Sequence, residues 1–124
     1  MPTNRPVVAI VDDEPSVLRA LRRLLDSYNF RTETFESAEA FLERDQIDDV
    51  SCIVLDINLD GMSGIEMRRR LAREGSTIPV IFITALDSAA VRKEAIEVGS
   101  AAFLSKPVSG QELVGAIQRA IRAS

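Results

Sequence analysis

The sequence predicts an α/β domain, a (βα)5 doubly wound sandwich whose five-stranded parallel sheet carries helices on both faces. Two observations indicate this class. Short apolar runs rich in β-branched residues alternate five times with stretches that have the apolar spacing of a helix. Three of these runs are almost continuously apolar, as is typical of strands covered on both faces of a parallel sheet. The length of 124 residues suits a single domain.

Each predicted strand is a short run that ends beside polar residues. The strands are expected, in chain order, at residues 6–11, 31–35, 51–55, 79–83 and 101–105. The second is more polar than the others, which favours a position near an edge of the sheet.

The helices are expected at residues 15–28, 38–43, 65–74, 88–98 and 109–121. Pro15 suits a first helical turn, where its missing N–H has no helical partner to lose. Ser37 is predicted to be the N-cap of the second helix. Gly75 and Gly99 are predicted to end the third and fourth helices.

Composition excludes several classes of function. The absence of histidine excludes His-dependent triads, HExxH metal sites and an internal phosphohistidine. A single cysteine, Cys52, excludes an internal disulfide framework and a cysteine-based zinc site, and we expect it to be a small buried apolar residue. The net charge of −4 disfavours direct binding of nucleic acid by this domain. We expect neither a signal peptide nor a membrane span, and hence a cytoplasmic location.

Four of the five predicted strands end at polar residues that a core does not need: Asp12 and Asp13, Asp56, Thr84, and Lys106. Because the carboxyl ends of parallel strands share one edge of a sheet, these side chains should converge in a shallow pocket. Taken singly, each has a structural explanation. The first pair could cap a helix, Asp56 could form an Asx turn, Thr84 could cap the fourth helix, and Lys106 could be a solvated charge.

Taken together, these residues point to chemistry. Carboxylates 4 Å apart repel by about 4 kcal/mol per pair at an effective dielectric constant near 20, so three of them call for a cation. Oxygen ligands with open positions suit Mg²⁺ or Mn²⁺. A carboxylate, a divalent ion, a hydroxyl and an ammonium group form a set suited to phosphoryl transfer.

Five sequence blocks in a fixed order resemble the receiver domains of bacterial two-component response regulators. The blocks lie at residues 10–15 (Ile-Val-Asp-Asp-Glu-Pro), 54–56 (Val-Leu-Asp), 61–66 (Gly-Met-Ser-Gly-Ile-Glu), 79–85 and 101–107. The resemblance spans essentially the whole chain, so residues 1–124 are expected to form one receiver domain. It implies the flavodoxin-like strand order 2-1-3-4-5 of the chemotaxis member, and a cis Lys106–Pro107 bond.

The resemblance also implies a role for each acidic residue. Asp56 corresponds to the phospho-acceptor, a carboxylate nucleophile that forms an acyl phosphate. Asp13, Asp56 and the backbone carbonyl of Asn58 correspond to ligands of Mg²⁺, and Asp12 acts mainly through a bound water.

Three further residues correspond to the parts that respond to the phosphoryl group. Lys106 would neutralise one phosphoryl oxygen, and Thr84 would offer its hydroxyl to another. Phe103 corresponds to the aromatic residue that turns inward when the domain is activated. Family members often have tyrosine at this position, and the phenylalanine of this chain lacks the tyrosine hydroxyl.

The implied function is a phosphorylation-dependent signalling switch without a separate turnover substrate. Because the chain has no histidine, the donor would be a sensor histidine kinase or a phosphotransfer protein. The surface of the fourth helix, fifth strand and fifth helix is the expected site of a homodimer or effector contact. The chain would be a stand-alone regulator or the receiver part of a transcriptional regulator.

Two alternatives remain at this point. One is a small Mg-dependent aspartyl-phosphate phosphatase resembling the haloacid dehalogenase group, although the stretch 56–58 (Asp-Ile-Asn) lacks the second carboxylate of that group's Asp-x-Asp motif. The other is a degenerate receiver that acts as a protein-binding scaffold.

Two local features carry smaller expectations. Asp60 stands where the family often has proline, and we expect its side chain to point to water rather than to a metal. Residues 68–70 (Arg-Arg-Arg) are expected to form a solvated helix face.

The resemblance places Asn58 and Leu86 beside the path by which water would reach a phosphorylated Asp56. Because the apolar Leu86 side chain cannot orient a water molecule, we expect slow self-dephosphorylation. Leu86→Glu should shorten the lifetime of the phosphoryl group, followed by mass spectrometry over time. An unchanged lifetime would contradict this prediction.

Overall fold

A computed structural model describes residues 5–44 and 49–124, and strands and helices alternate along this part of the chain. The strands are β1 (Val7–Val11), β2 (Arg31–Phe35), β3 (Val50–Asp56), β4 (Val80–Thr84) and β5 (Ala102–Ser105). The helices are α1 (Pro15–Ser27), α2 (Ala38–Leu42), α3 (Gly64–Arg73), α4 (Ala89–Val98) and α5 (Gly110–Ala123).

The strands form one parallel sheet in the order β2-β1-β3-β4-β5. The predicted fold class and strand order are therefore confirmed, and β2 lies at an edge as expected. The register pairs Val11 with Leu55, and Thr84 with Ser105, so the strands end level with one another. The residues that follow the strands consequently share one edge of the sheet.

Alternating strand side chains build two core layers. In one layer, residues such as Phe82 and Leu55 pack with apolar side chains from α2, α3 and α4. In the other, residues such as Ile10 and Ile83 pack with side chains from α1 and α5, including Leu113. The sheet is thus covered on both faces, which explains why its inner strands read as continuous apolar runs.

Local capping fixes where the helices begin and end. Ser37 accepts a hydrogen bond from the N–H of Ala40, as predicted for the N-cap of α2. Ser63 and Glu66 form a capping box at the start of α3. Gly75 and Gly99 adopt positive φ angles of +81° and +91° just after α3 and α4, as their predicted positions require.

Arg68 differs from the predicted solvated face of residues 68–70. Its Nε donates a 2.8 Å hydrogen bond to the carbonyl of Gly99, at the end of α4. Packing of α3 beside α4 brings that carbonyl within reach, so Arg68 is half-buried while Arg69 and Arg70 are exposed.

Cys52 is fully buried on β3, as expected, and burial raises the pKa of its thiol to about 12. The Lys106–Pro107 bond is cis, also as expected. Within the described ranges, none of the helices combines the length and apolar character that crossing a bilayer demands.

The first residue of α3 lies directly against the end of β3. A Cβ at Gly64 would overlap the carbonyl oxygen of Asp56 and lie 3.0 Å from the Cα of Ile57. Because backbone cannot move aside as a flexible side chain can, Gly64→Ala should lower the free energy of unfolding by about 1–3 kcal/mol. Urea denaturation measures this change.

Gly115→Ala, inside α5, is the matched control. A Cβ there would meet only the flexible guanidinium of Arg119, at 3.2 Å. We expect this substitution to stabilise the protein by about 0.5–1 kcal/mol, because alanine is the better helix former. Similar effects at the two positions would contradict the steric argument.

Candidate functional site

The acidic residues that follow β1 and end β3 converge. Asp12, Asp13 and Asp56 each place a carboxylate oxygen within 4.8 Å of the others, and we call this group the carboxylate cluster. Asp12 and Asp56 are buried, whereas Asp13 is half-buried. The convergence follows from the adjacency of β1 and β3 in the sheet.

Lys106, which follows β5, reaches into the carboxylate cluster. Its Nζ donates a 3.0 Å hydrogen bond to Oδ2 of Asp56 and lies 2.9 Å from Oδ2 of Asp12. Glu14 contributes a longer ion pair at 3.6 Å. The Lys106 side chain is only 16% exposed, so it is not the solvated charge that its sequence position alone would allow.

Asp12 keeps one buried oxygen without a hydrogen bond. Its Oδ1 accepts from the N–H of Glu14 at 2.9 Å, which arranges the turn into α1. Its Oδ2 has the Lys106 ammonium close by as an ion pair, but without hydrogen-bond geometry. A buried anionic oxygen with free lone pairs, in a cluster of carboxylates, is a donor suited to a hard cation.

The electrostatics of Asp56 are dominated by its removal from water. Burial raises the pKa of Asp56 and the charge of Asp12 adds to the effect, while hydrogen bonds from Lys106 and the Asn58 N–H offset it only in part. Burial alone would lower the pKa of Lys106, but its contacts with Asp12 and Asp56 outweigh that effect and raise it. One ammonium therefore stabilises the carboxylates incompletely.

Thr84, at the end of β4, is buried next to this site. Its Oγ1 accepts hydrogen bonds from Nδ2 of Asn58 at 3.1 Å and from the N–H of Leu86 at 3.0 Å. Ser88 rather than Thr84 caps α4. With two acceptor positions used, the Thr84 hydroxyl retains its proton as a donor.

The loop from Ile57 to Ser63 borders the carboxylate cluster. The N–H of Asn58 donates to Oδ1 of Asp56 at 3.1 Å, and the N–H of Asp60 donates to Oδ2 of Asp13 at 3.4 Å. Asp60 is exposed, and its carboxylate is not one of the three in the cluster, which agrees with the expectation that it points to water.

Phe103 lies on β5 and packs, half-buried, against the core layer of α2, α3 and α4. The guanidinium carbon of Arg92 sits 4.6 Å from the centroid of its ring. Arg92 forms a two-pronged ion pair with Asp87 at 3.1 and 2.7 Å, and the Ser105 hydroxyl donates to the same carboxylate at 2.5 Å. Phe103 thus lies against the guanidinium of Arg92 and outside the carboxylate cluster.

Four residues with contacts near this site were not predicted from the sequence: Asp87, Arg92 and Ser105, and Glu39 on α2. Oε2 of Glu39 accepts a 2.9 Å hydrogen bond from the N–H of Met62 in the loop after Asp56. These are exposed charged and polar residues, and nothing in their spacing distinguishes them from an ordinary surface. Only the packing of separate elements brings them together.

Asp56→Asn should stabilise the metal-free protein at pH 7. Because the pKa of Asp56 is raised in the native state, ionising this group favours the unfolded chain. The gain should shrink as the pH falls through the raised pKa, and it should vanish below the ordinary value near 3.8. Urea unfolding across a pH series, with a chelator present, measures it.

Asp60→Asn removes an exposed carboxylate from the neighbouring loop and serves as the control. We expect it to change stability by less than about 0.5 kcal/mol at pH 7. A metal-free Asp56→Asn protein less stable than the wild type at pH 7 would overturn the electrostatic interpretation.

Comparisons with known proteins agree with this geometry. Residues 8–118 match the family model of the response regulator receiver domain. The chain is 36% identical over 118 residues to the transcriptional regulatory protein TdiR of Thauera aromatica, covering 95% of this chain and 52% of that protein. It therefore spans about half the length of such curated relatives.

Solved structures show the same similarity. The response regulator StyR superposes with a TM-score of 0.89 at 39% identity, over 96% of this chain and 60% of that one. The crystal structure of FixJ-N superposes with a TM-score of 0.87 at 33% identity, over 98% of both chains. Family model, relatives and architecture agree that this chain belongs to the response regulator receiver domains.

Proposed function

We propose that residues 1–124 form one receiver domain that accepts a phosphoryl group on Asp56 and changes its interaction surface in response. The observation that carries the proposal is the position of Asp56. It is buried at the end of a central strand, joined to Lys106 by a 3.0 Å hydrogen bond, and close to two further carboxylates. A carboxylate in that position can act as a nucleophile while the fixed Lys106 ammonium faces the negative charge of the incoming phosphoryl group.

The donor is a phosphohistidine of a sensor histidine kinase or of a phosphotransfer protein, since this chain contains no histidine. An oxygen of Asp56 attacks phosphorus, the P–N bond breaks, and the imidazole leaves with the electron pair. Lys106 neutralises one phosphoryl oxygen, and Thr84 uses its remaining hydroxyl proton for another. The products are an acyl phosphate on this chain and a free histidine on the donor.

The carboxylate cluster fits a divalent cation. Its donors are hard oxygens, and Oδ2 of Asp12 is buried without a hydrogen bond. We infer that Asp13, Asp56 and the backbone carbonyl of Asn58 hold Mg²⁺, or Mn²⁺ in its place, with Asp12 acting mainly through water. The single Lys106 ammonium does not neutralise all of the clustered carboxylates, and a bound ion supplies the remaining positive charge.

The output is proposed from the relatives. Since relatives such as TdiR are about twice as long and TdiR is named a transcriptional regulatory protein, we propose that this chain serves as the receiver part of such a regulator. The surface of α4, β5 and α5 would carry the phosphorylation-dependent homodimer or effector contact. Its place of action would be the cytoplasm, with neither nucleic acid nor membrane bound by this domain and no separate substrate turned over.

Incubation with Mg²⁺ and acetyl phosphate should add one acid-labile phosphoryl group at Asp56, detected by intact mass and peptide mapping. Asp56→Asn should take up none, because the neutral amide is not a carboxylate nucleophile. Asp60→Asn is the matched control and should be labelled like the wild type. Chelation of Mg²⁺ should abolish labelling of the wild type and of Asp60→Asn.

Two results would count against the proposal. One is a phosphoryl group that persists in Asp56→Asn. The other is a wild-type protein that remains unlabelled at saturating Mg²⁺ and donor. Steady release of phosphate from a generic phosphomonoester, dependent on Asp56, would instead support the phosphatase alternative.

A further inference from the structure

We propose that Glu39, on α2, is a positioning residue that holds the loop after Asp56 in the shape the phosphorylation site requires. The inference rests on the proposed function. Glu39 lies outside the carboxylate cluster, and it contacts the loop 23 positions along the chain through the hydrogen bond from Met62 N–H to its Oε2, at 2.9 Å. Its contact with the site region is therefore made through the loop.

The near end of this loop is tied to the site itself. Asn58 and Asp60 donate their N–H groups to Asp56 and Asp13. Where the loop meets α3, the N–H of Gly64 donates to the carbonyl of Ile57 at 3.0 Å and joins the two ends of the loop. The loop backbone therefore belongs to the same hydrogen-bonded unit as two of the three clustered carboxylates. A displacement of its far end is transmitted to that unit.

The middle of the loop has little rigidity of its own. Asp60 leaves φ free where a proline would fix it. Gly61, with φ at +76°, adopts a conformation that only glycine enters readily. The backbone between Asp60 and Met62 consequently depends on contacts from outside the loop.

Glu39 supplies such a contact at close range. A Cβ on Gly61 would lie 2.6 Å from Oε2 of Glu39, so the loop backbone rests directly against this carboxylate. The hydrogen bond from Met62 lowers the pKa of Glu39, as expected for a charge-assisted hydrogen bond to its carboxylate. The side chains of Leu59 and Met62 also pack against the core. The loop backbone is thus held by hydrogen bonds to the site on one side and to Glu39 of α2 on the other.

The test compares Glu39→Ala, Glu39→Gln and the control Glu43→Ala, which removes an exposed carboxylate from the end of the same helix. Amide hydrogen exchange at Met62 reports the hydrogen bond to Glu39. Calorimetric titration with Mg²⁺ alone reports the Mg²⁺ affinity of the carboxylate cluster. Glu39→Ala should accelerate exchange at Met62 and weaken Mg²⁺ binding, each by roughly fivefold, as expected for the loss of one hydrogen bond. Glu39→Gln, whose amide oxygen still accepts, should restore most of both, and Glu43→Ala should match the wild type.

Two results would overturn the inference: an unchanged Met62 exchange rate in Glu39→Ala, or faster exchange with unchanged Mg²⁺ affinity. In the second case the hydrogen bond is structural only, while the proposed function stands. Failure of the proposed function looks different, because the wild type itself then neither binds Mg²⁺ nor accepts a phosphoryl group. Urea unfolding of each variant separates these effects from a general loss of stability.

Discussion

The crowding of three carboxylates around one ammonium group at the carboxyl edge of the sheet is the constraint on which the site depends. Asp12 and Asp56 are brought together because β1 and β3 are neighbours, and Lys106 reaches both of them from the end of β5. Burial of the apolar core must offset the free energy that it costs to hold these charged groups out of water. The same excess of negative charge makes the cluster suited to a cation, so its cost in stability and its fit to a divalent ion have one physical origin.

The fold and the centre of the site could be predicted because they follow from hydrophobic patterning. Continuous apolar runs specify buried parallel strands, and a parallel sheet gathers the residues after its strands at one edge. The positions of Asp12, Asp56 and Lys106 directly at the ends of predicted strands therefore predict that they converge. The strand order came from resemblance, because periodicity identifies strands without indicating which of them are neighbours.

The contacts that escaped prediction are made by long charged side chains. The run at residues 68–70 reads as a solvated face, yet Arg68 turns to the Gly99 carbonyl because α3 packs beside α4. Glu39 and Arg92 likewise gain partners from other elements. The reach and several rotatable bonds of such side chains allow many partners, and only the tertiary arrangement selects one. The spacing of residues in the sequence does not indicate which partner such a side chain contacts.

Cys52 gives the protein an internal reporter of core opening. The chain has a single thiol, and it lies without solvent exposure on β3, the strand at the middle of the sheet. With its pKa raised to about 12, the thiol remains protonated and unreactive while the sheet is closed. The Cys52 side chain packs in the core layer of α1 and α5. A thiol reagent therefore reacts only when that layer opens away from the sheet, and the rate of labelling measures how often the native core opens, with no engineered probe.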